Sequence, residues 1–173
     1  MRTVSSGFVV INRRGEVLLG MVDNHEPPYQ WTFFKGGQEG EESLMETAIR
    51  ELKEETGIDI AADHKLNKYI STNYIYQYSV RQKDVYMFCV EDVEGVLEDF
   101  NFACNSYWGD NNKPEIACYK WVNIDDLKQY VFPSQRGLAE FLQRRKGEYQ
   151  DCSINLDRQK YKTRPSLHSS CSW

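Results

Sequence analysis

The chain has 173 residues, 40% of them hydrophobic and 27% charged, a composition that supports one soluble domain with a substantial core. With 21 Lys/Arg against 26 Asp/Glu, its net charge of −5 argues against broad binding to duplex nucleic acid. No apolar run approaches the ~18–20 residues of a membrane span. The five scattered cysteines (Cys89, Cys104, Cys118, Cys152, Cys171) lack CxxC spacing, so free thiols in a reducing cytoplasm are expected.

In chain order, Val4–Ile11 and Glu16–Leu19 flank the turn signal Asn12-Arg13-Arg14-Gly15 and predict a hairpin. Charge returns at Arg13 and no small-residue cleavage site follows, so the opening segment is expected to be a strand, not a leader. Asp23–Pro28 reads as a polar loop, and Trp31–Phe34 as a short aromatic strand entering a turn at Gly36-Gly37. A helix is expected from about Glu42 to Thr56. Lys68–Val80 and Val85–Glu91 predict two further strands, rich in Tyr and Val. Val93–Pro114 has no clear period and reads as a long connection, a length that tends to be functional or mobile. Ile116–Val122 predicts a strand, and Ile124–Tyr130 and Ser134–Lys146 two helices, with Ser134 as a cap beside Pro133. Composition turns polar after residue 147, giving a domain over 1–147 and an extension over 148–173, the last residues expected to be disordered. From pattern alone this is a mixed α/β domain.

The chemistry concentrates on the first helix. At 100° per residue, Met45, Ala48, Ile49 and Leu52 gather into an apolar stripe. Glu51, Glu54 and Glu55 share the flank beside it, where like charges at i, i+3 and i+4 repel. A bare E-x-x-E-E is more often a solvated acidic face. A hard divalent cation is the other reading, because Mg²⁺ takes carboxylate oxygens together with water and substrate phosphates. Arg50 stands four residues before Glu54 and can orient that carboxylate. Gly57 suits a left-handed C-cap, Gly36 and Gly37 allow close backbone approach, and Glu42 reads as a loop–helix brace.

Gly36-x5-Glu42-x7-Arg50-Glu51-Leu52-x-Glu54-Glu55-x-Gly57-Ile58 fills every fixed position of the signature of the Nudix hydrolases, which the chain therefore resembles. The resemblance implies an α/β/α sandwich over a mixed central sheet. It also implies Mg²⁺-dependent cleavage of a diphosphate linked to a nucleoside or similar group, with Mn²⁺ as a substitute. Three further runs narrow it. Trp31-Thr32-Phe33-Phe34-Lys35-Gly36-Gly37 is similar to the W-x-F-P-K-G run of diadenosine tetraphosphate hydrolases, with Phe34 in place of Pro. Glu115-Ile116-Ala117-Cys118-Tyr119-Lys120-Trp121 is similar to their E-x-x-x-Y-x-W strand, and Phe132-Pro133-Ser134 to their Y-P-S segment.

By that resemblance the metal is expected on Glu51, Glu54, Glu55 and Glu115, with a backbone carbonyl at Lys35 or Gly36. Glu91, Glu94 and Glu98 are rivals to Glu115. Glu54 or Glu55 would act as base beside Arg50, and Lys83 and Lys35 would contact phosphate. Tyr119, Tyr76 and Tyr86, with Tyr74 and Tyr78, are candidates to stack on a base. The expected reaction converts a dinucleoside tetraphosphate to a nucleoside triphosphate and a monophosphate. A 5′-pyrophosphohydrolase of RNA is the alternative. Residues 136–164, with eight Lys/Arg against four acids, mildly favour that alternative, although a solvated tail explains them too. A nucleotide-binding module without activity is a third reading. None of the three histidines is given a role.

Overall fold

A computed structural model describes residues 1–22, 31–109 and 113–146. The expected 23–28 loop and the extension after residue 147 lie outside the described residues. β1 (Thr3–Ile11) is buried from Ser5 onward, with Phe8 and Val10 facing one layer and Val9 and Ile11 the other. A strand covered on both faces needs a continuous apolar run, which this segment supplies. It pairs in parallel with β6 (Lys83–Glu91) and antiparallel with β2 (Glu16–Val22) and β4 (Phe34–Gly37). The main sheet runs β3-β2-β1-β6-β5, where β3 is Trp31–Thr32 and β5 is Tyr76–Val80. β9 (Ile116–Asn123) joins it along β2. A separate two-stranded ribbon is formed by β7 (Tyr107–Trp108) and β8 (Lys113–Pro114).

Helix α1 (Leu44–Thr56) covers one face through Ala48 and Leu52, with Phe8, Phe34, Phe88 and Trp121 beneath it. On the other face α4 (Arg136–Arg144) buries Leu138, Ala139 and Leu142 against Val9, Val85 and Met87. The result is the expected α/β/α sandwich around a mixed sheet. No helix among the described residues is long and apolar enough to cross a membrane.

Four local expectations are corrected. The Lys68–Val80 strand shrinks to Tyr76–Val80, because Asp63 caps a helical turn, α2 (His64–Asn67), ahead of it. Between the two, the chain meets β6 through the bridge Ile70↔Val90 and scattered hydrogen bonds, from the Ser71 and Ile75 amides and to the Tyr69 carbonyl and Ser71 hydroxyl, without a continuous ladder. Trp31–Phe34 is broken at Phe33 into β3 and the start of β4, and Gly36 and Gly37 extend β4 along β1 instead of turning. The segment 124–130 divides into a 3₁₀ turn (Ile124–Asp126) and α3 (Leu127–Tyr130). Ser134 lies inside a second 3₁₀ turn (Pro133–Gln135), and α4 starts at Arg136 without a side-chain cap.

Candidate active site

Helix α1 is fixed at both ends. Ser43 and Glu46 form a reciprocal capping box at its start, a Ser-x-x-Glu signal legible in the sequence but absent from the expectations above. At its end Gly57 adopts φ 85° and returns its N–H to the Lys53 carbonyl. The next three carbonyls are also satisfied, by the Asn105 amide on Glu54, the Tyr119 hydroxyl on Glu55 and the Ala103 amide on Thr56. The final turn of a helix normally leaves these groups to water or a cap. Here the 93–114 connection and β9 supply the partners.

The entry loop is held by Glu42, which accepts from the Glu39 N–H, the Thr47 hydroxyl and the Arg50 guanidinium. Arg50 reaches Glu42 Oε2 at 2.6 Å and Oε1 at 3.0 Å, so the fork expected for Glu54 belongs to Glu42. A single Nη1 of the same guanidinium touches Glu51 Oε1 at 3.0 Å and Glu54 Oε2 at 3.1 Å, while Nη2 donates to the Gly37 carbonyl at 2.8 Å. The Arg50 guanidinium, hydrogen-bonded to it, holds the Glu42 carboxyl down at about 2.

The three helix carboxylates are less exposed than their amphipathic flank suggests. Glu51 is 8% and Glu55 7% accessible, which corrects the idea of a uniformly solvated flank. Glu55 Oε1 accepts the Lys35 backbone N–H at 3.0 Å, pinning it to β4. The Glu51 carboxylate lies so close to Gly36 that a Cβ there would fall 2.0–2.3 Å from its atoms. Burial, reinforced by Glu51, pushes the Glu55 carboxyl well above the usual range, and burial followed by Glu54 raises Glu51. Burial also lowers the Lys35 ammonium, against the pull of Glu55 and with the push of Lys83.

Glu51, Glu54, Glu55 and Glu115 line one cleft of about 820 Å³, with Lys35, Gly36, Arg81 and Lys83 also in its walls. Glu115 accepts from the Ser106 hydroxyl at 2.5 Å, and its own N–H donates to the Ser106 carbonyl, so the β7–β8 ribbon orients it. Its rivals lie elsewhere: Glu94 pairs with Lys68, Glu98 pairs with Arg13, and Glu91 ends β6; none lines the cleft. An oxygen-only set of four carboxylates suits a hard divalent cation. No trio among the described residues is already arranged around one ion. Two of the four, Glu51 and Glu54, are hydrogen-bonded to Arg50.

The aromatic expectations need revision. Tyr119 does not line this cleft; it packs between Phe34 and Phe102 with its hydroxyl on the Glu55 carbonyl. Tyr76 packs on Phe141, and Tyr86 stands edge-on to Tyr74. Tyr119 and Tyr86 lie on the α1 side of the sheet and Tyr76 on the α4 side, and none of the three lines the cleft. The rings that do line the cleft are Phe33, Tyr78, Trp108 and Phe132. Trp108 had no signal in the sequence, because the ribbon carrying it lies in the aperiodic connection. Gln135 was also missed; its buried amide accepts from the Phe33 N–H and donates to Thr32 Oγ1, closing the cleft floor.

A mixed sheet between helix layers, with carboxylates of α1 and two lysines in one cleft, suits the binding and hydrolysis of a phosphoanhydride. Residues 1–144 match the NUDIX domain, and the chain belongs to that family. It is 27% identical over 147 residues to the RNA pyrophosphohydrolase of Caulobacter vibrioides, covering 78% of this chain and 79% of that one. Among solved structures it is similar to a C. elegans Ap4A hydrolase in a binary complex, with a TM-score of 0.59 at 20% identity over 84% of this chain and 98% of that one. The Escherichia coli dihydroneopterin triphosphate pyrophosphohydrolase (E. coli) superposes with a TM-score of 0.58 at 18% identity, over 82% and 96%. At these identities the structural likeness speaks to the fold.

Proposed function

We propose that the protein is a Mg²⁺-dependent pyrophosphohydrolase acting in the cytoplasm on the 5′-triphosphate end of RNA. The observation that carries the hydrolase reading is the opposition of Glu51, Glu54, Glu55 and Glu115 to Lys35 and Lys83 across one cleft. Two things support the RNA end over a dinucleotide. The curated relative at 27% identity is named for that activity, and of the five tyrosines expected to take the bases of a dinucleotide, Tyr78 lines the cleft while Tyr119, Tyr76, Tyr86 and Tyr74 do not.

In this reading the four carboxylates hold Mg²⁺, with Mn²⁺ as a substitute and the backbone at Gly36 close by. Bound there, the ion would neutralise phosphate oxygens and lower the pKa of a water. Lys35 and Lys83 hold the polyphosphate and offset its charge. Glu54 or Glu55 accepts the proton of the attacking water. Arg50 holds Glu51 and Glu54 in place and ties them to the Gly37 backbone.

A second reading, hydrolysis of a dinucleoside tetraphosphate, keeps one support: the Trp31–Gly37 run delivers Phe33 into the cleft beside Tyr78, Trp108 and Phe132. Incubation of the purified protein with Mg²⁺ and either a 5′-triphosphorylated oligoribonucleotide or diadenosine tetraphosphate separates the two. Pyrophosphate release from the RNA is expected. Cleavage of the dinucleotide alone, to ATP and AMP, would replace the first reading by the second.

A further inference from the structure

β5 and β6 are joined by a two-residue loop, Arg81-Gln82, at the rim of the cleft. Arg81 has φ 55°, the one positive φ outside glycine among the described residues. The first position of such a loop commonly requires a positive φ, and Gly is the usual occupant. A Cβ there costs stability, and strained positions of this kind cluster at functional sites. The hairpin gains nothing visible from the arginine: its side chain makes no ion pair with the described residues.

The rest of the hairpin is pinned without it. Asp84 takes both Arg2 Nε and Nη2, and the Ser79 hydroxyl as well. The Thr3 amide donates to the Gln82 carbonyl. Strand alternation puts Asp84 on one face, and Lys83 and Val80 on the other. Val80, Arg81 and Lys83 all line the cleft.

Three cations line this cleft: Lys35 and Lys83 are half-buried and Arg81 is exposed. Lys35 lies beside Glu55, with Lys83 near enough to act on its charge. The two less exposed cations share the cleft with the carboxylates, where the scissile anhydride would be bound. A cation farther out meets no phosphate on a mononucleotide, whose chain ends in an uncharged nucleoside. On a polymer it meets the next anion along the strand.

We propose that Arg81 binds the first internucleotide phosphate of a single-stranded RNA, and so selects a polymer end over a free nucleoside triphosphate. This deepens the RNA reading and rests on it for the substrate, whereas the contact itself can be measured independently. Arginine suits the task because its planar fork matches a phosphate group in two-point contact.

The test is Arg81→Gly, which removes the cation and relieves the backbone at once. Steady-state kinetics would be run on a 5′-triphosphorylated pentaribonucleotide and on GTP. Binding of the same pentanucleotide carrying a 5′-monophosphate would be measured across a salt series. The variant should raise KM for the oligonucleotide roughly three- to tenfold, a loss typical of one charge-assisted contact at an exposed site. KM for GTP should be unchanged, the salt slope of oligonucleotide binding should fall by about 0.7, and Tm should hold or rise. Equal losses on both substrates would place Arg81 on the terminal polyphosphate and overturn the proposal, as would an unchanged Kd and salt slope. If the wild type cleaves no RNA yet Arg81→Gly still weakens the monophosphorylated oligonucleotide, the reaction assignment fails and the contact stands.

Discussion

At the scale of single residues, the site sets charge against burial. Glu55 is nearly inaccessible, shares its surroundings with Glu51 and Glu115, and has Lys35 as a cationic neighbour. Removing its charge should therefore separate activity from stability. Glu55→Gln keeps an acceptor for the Lys35 amide but loses the metal-binding or basic oxygen. Turnover should drop roughly a thousandfold, while Tm stays level or rises; a matching collapse of Tm would reduce Glu55 to a packing residue. Glu42 behaves oppositely. Its carboxyl, held at about 2 by Arg50, is depressed below the ordinary 4.5. A depressed carboxyl contributes stability fully above the unfolded value and loses it as pH falls toward the folded one. The stability gap between wild type and Glu42→Gln, measured by urea denaturation, should be constant above pH ~5.5 and close between about 4.5 and 2. A gap that persisted at pH 2 would mean the brace works through shape alone.

At the scale of elements, the helix end joins the 93–114 connection to the chemistry. Tyr119 is a positioning residue in this arrangement, because its hydroxyl satisfies the main-chain carbonyl of Glu55 and its ring stays clear of the cleft. Tyr119→Phe leaves that carbonyl buried and unpaired, at a cost of about 1–3 kcal/mol. The expected signature is a lower Tm and a weaker apparent Mg²⁺ constant with an unchanged KM for substrate. A raised KM alone would return Tyr119 to the base-binding role its sequence context suggested. The same element shows where sequence reading succeeds and stops. The carboxylate helix was legible because its motif fixes residues within two or three turns, where spacing and geometry are one thing. The partners of its last carbonyls come from residues 47 to 64 positions away, and no local period announces them. The Tyr-rich stretch before β5 misled for a related reason: β propensity of Tyr describes a half-buried pleat, and Thr72-Asn73 break the pairing before the pleat begins.

At the scale of the whole molecule, the sheet order delivers Glu115 to a helix some sixty residues earlier. β9 reaches it by pairing with β2, not with the strand before it in sequence. Added Mg²⁺ should raise the Tm of the wild type according to the ratio of its concentration to Kd. Glu115→Gln should reduce that shift, whereas Glu98→Gln, which breaks only the surface pair with Arg13, should leave it intact. The reverse pattern would move the ligand out of β9's approach and into the connection. The mixed α/β class was readable from the strand and helix patterns, and the layering of helices on both sides of the sheet came from the motif's resemblance to a family. The aromatic lining was not, because which face a ring occupies depends on register across the sheet.

The irregular stretch that closes the end of α1 has a consequence for how the molecule breathes. The amides of Ala103 and Asn105 lie in no strand or helix, yet each is bonded to a carbonyl of the helix that carries the carboxylates. Phe100 and Phe102 fasten the same stretch to the core below that helix. Loops ordinarily open by themselves, exchanging their amide hydrogens long before the core does. Here the segment and the helix should open as one cooperative unit. Hydrogen exchange at Ala103 and Asn105 should be as slow as at Leu52, and a substitution that frees the helix end should speed all three together.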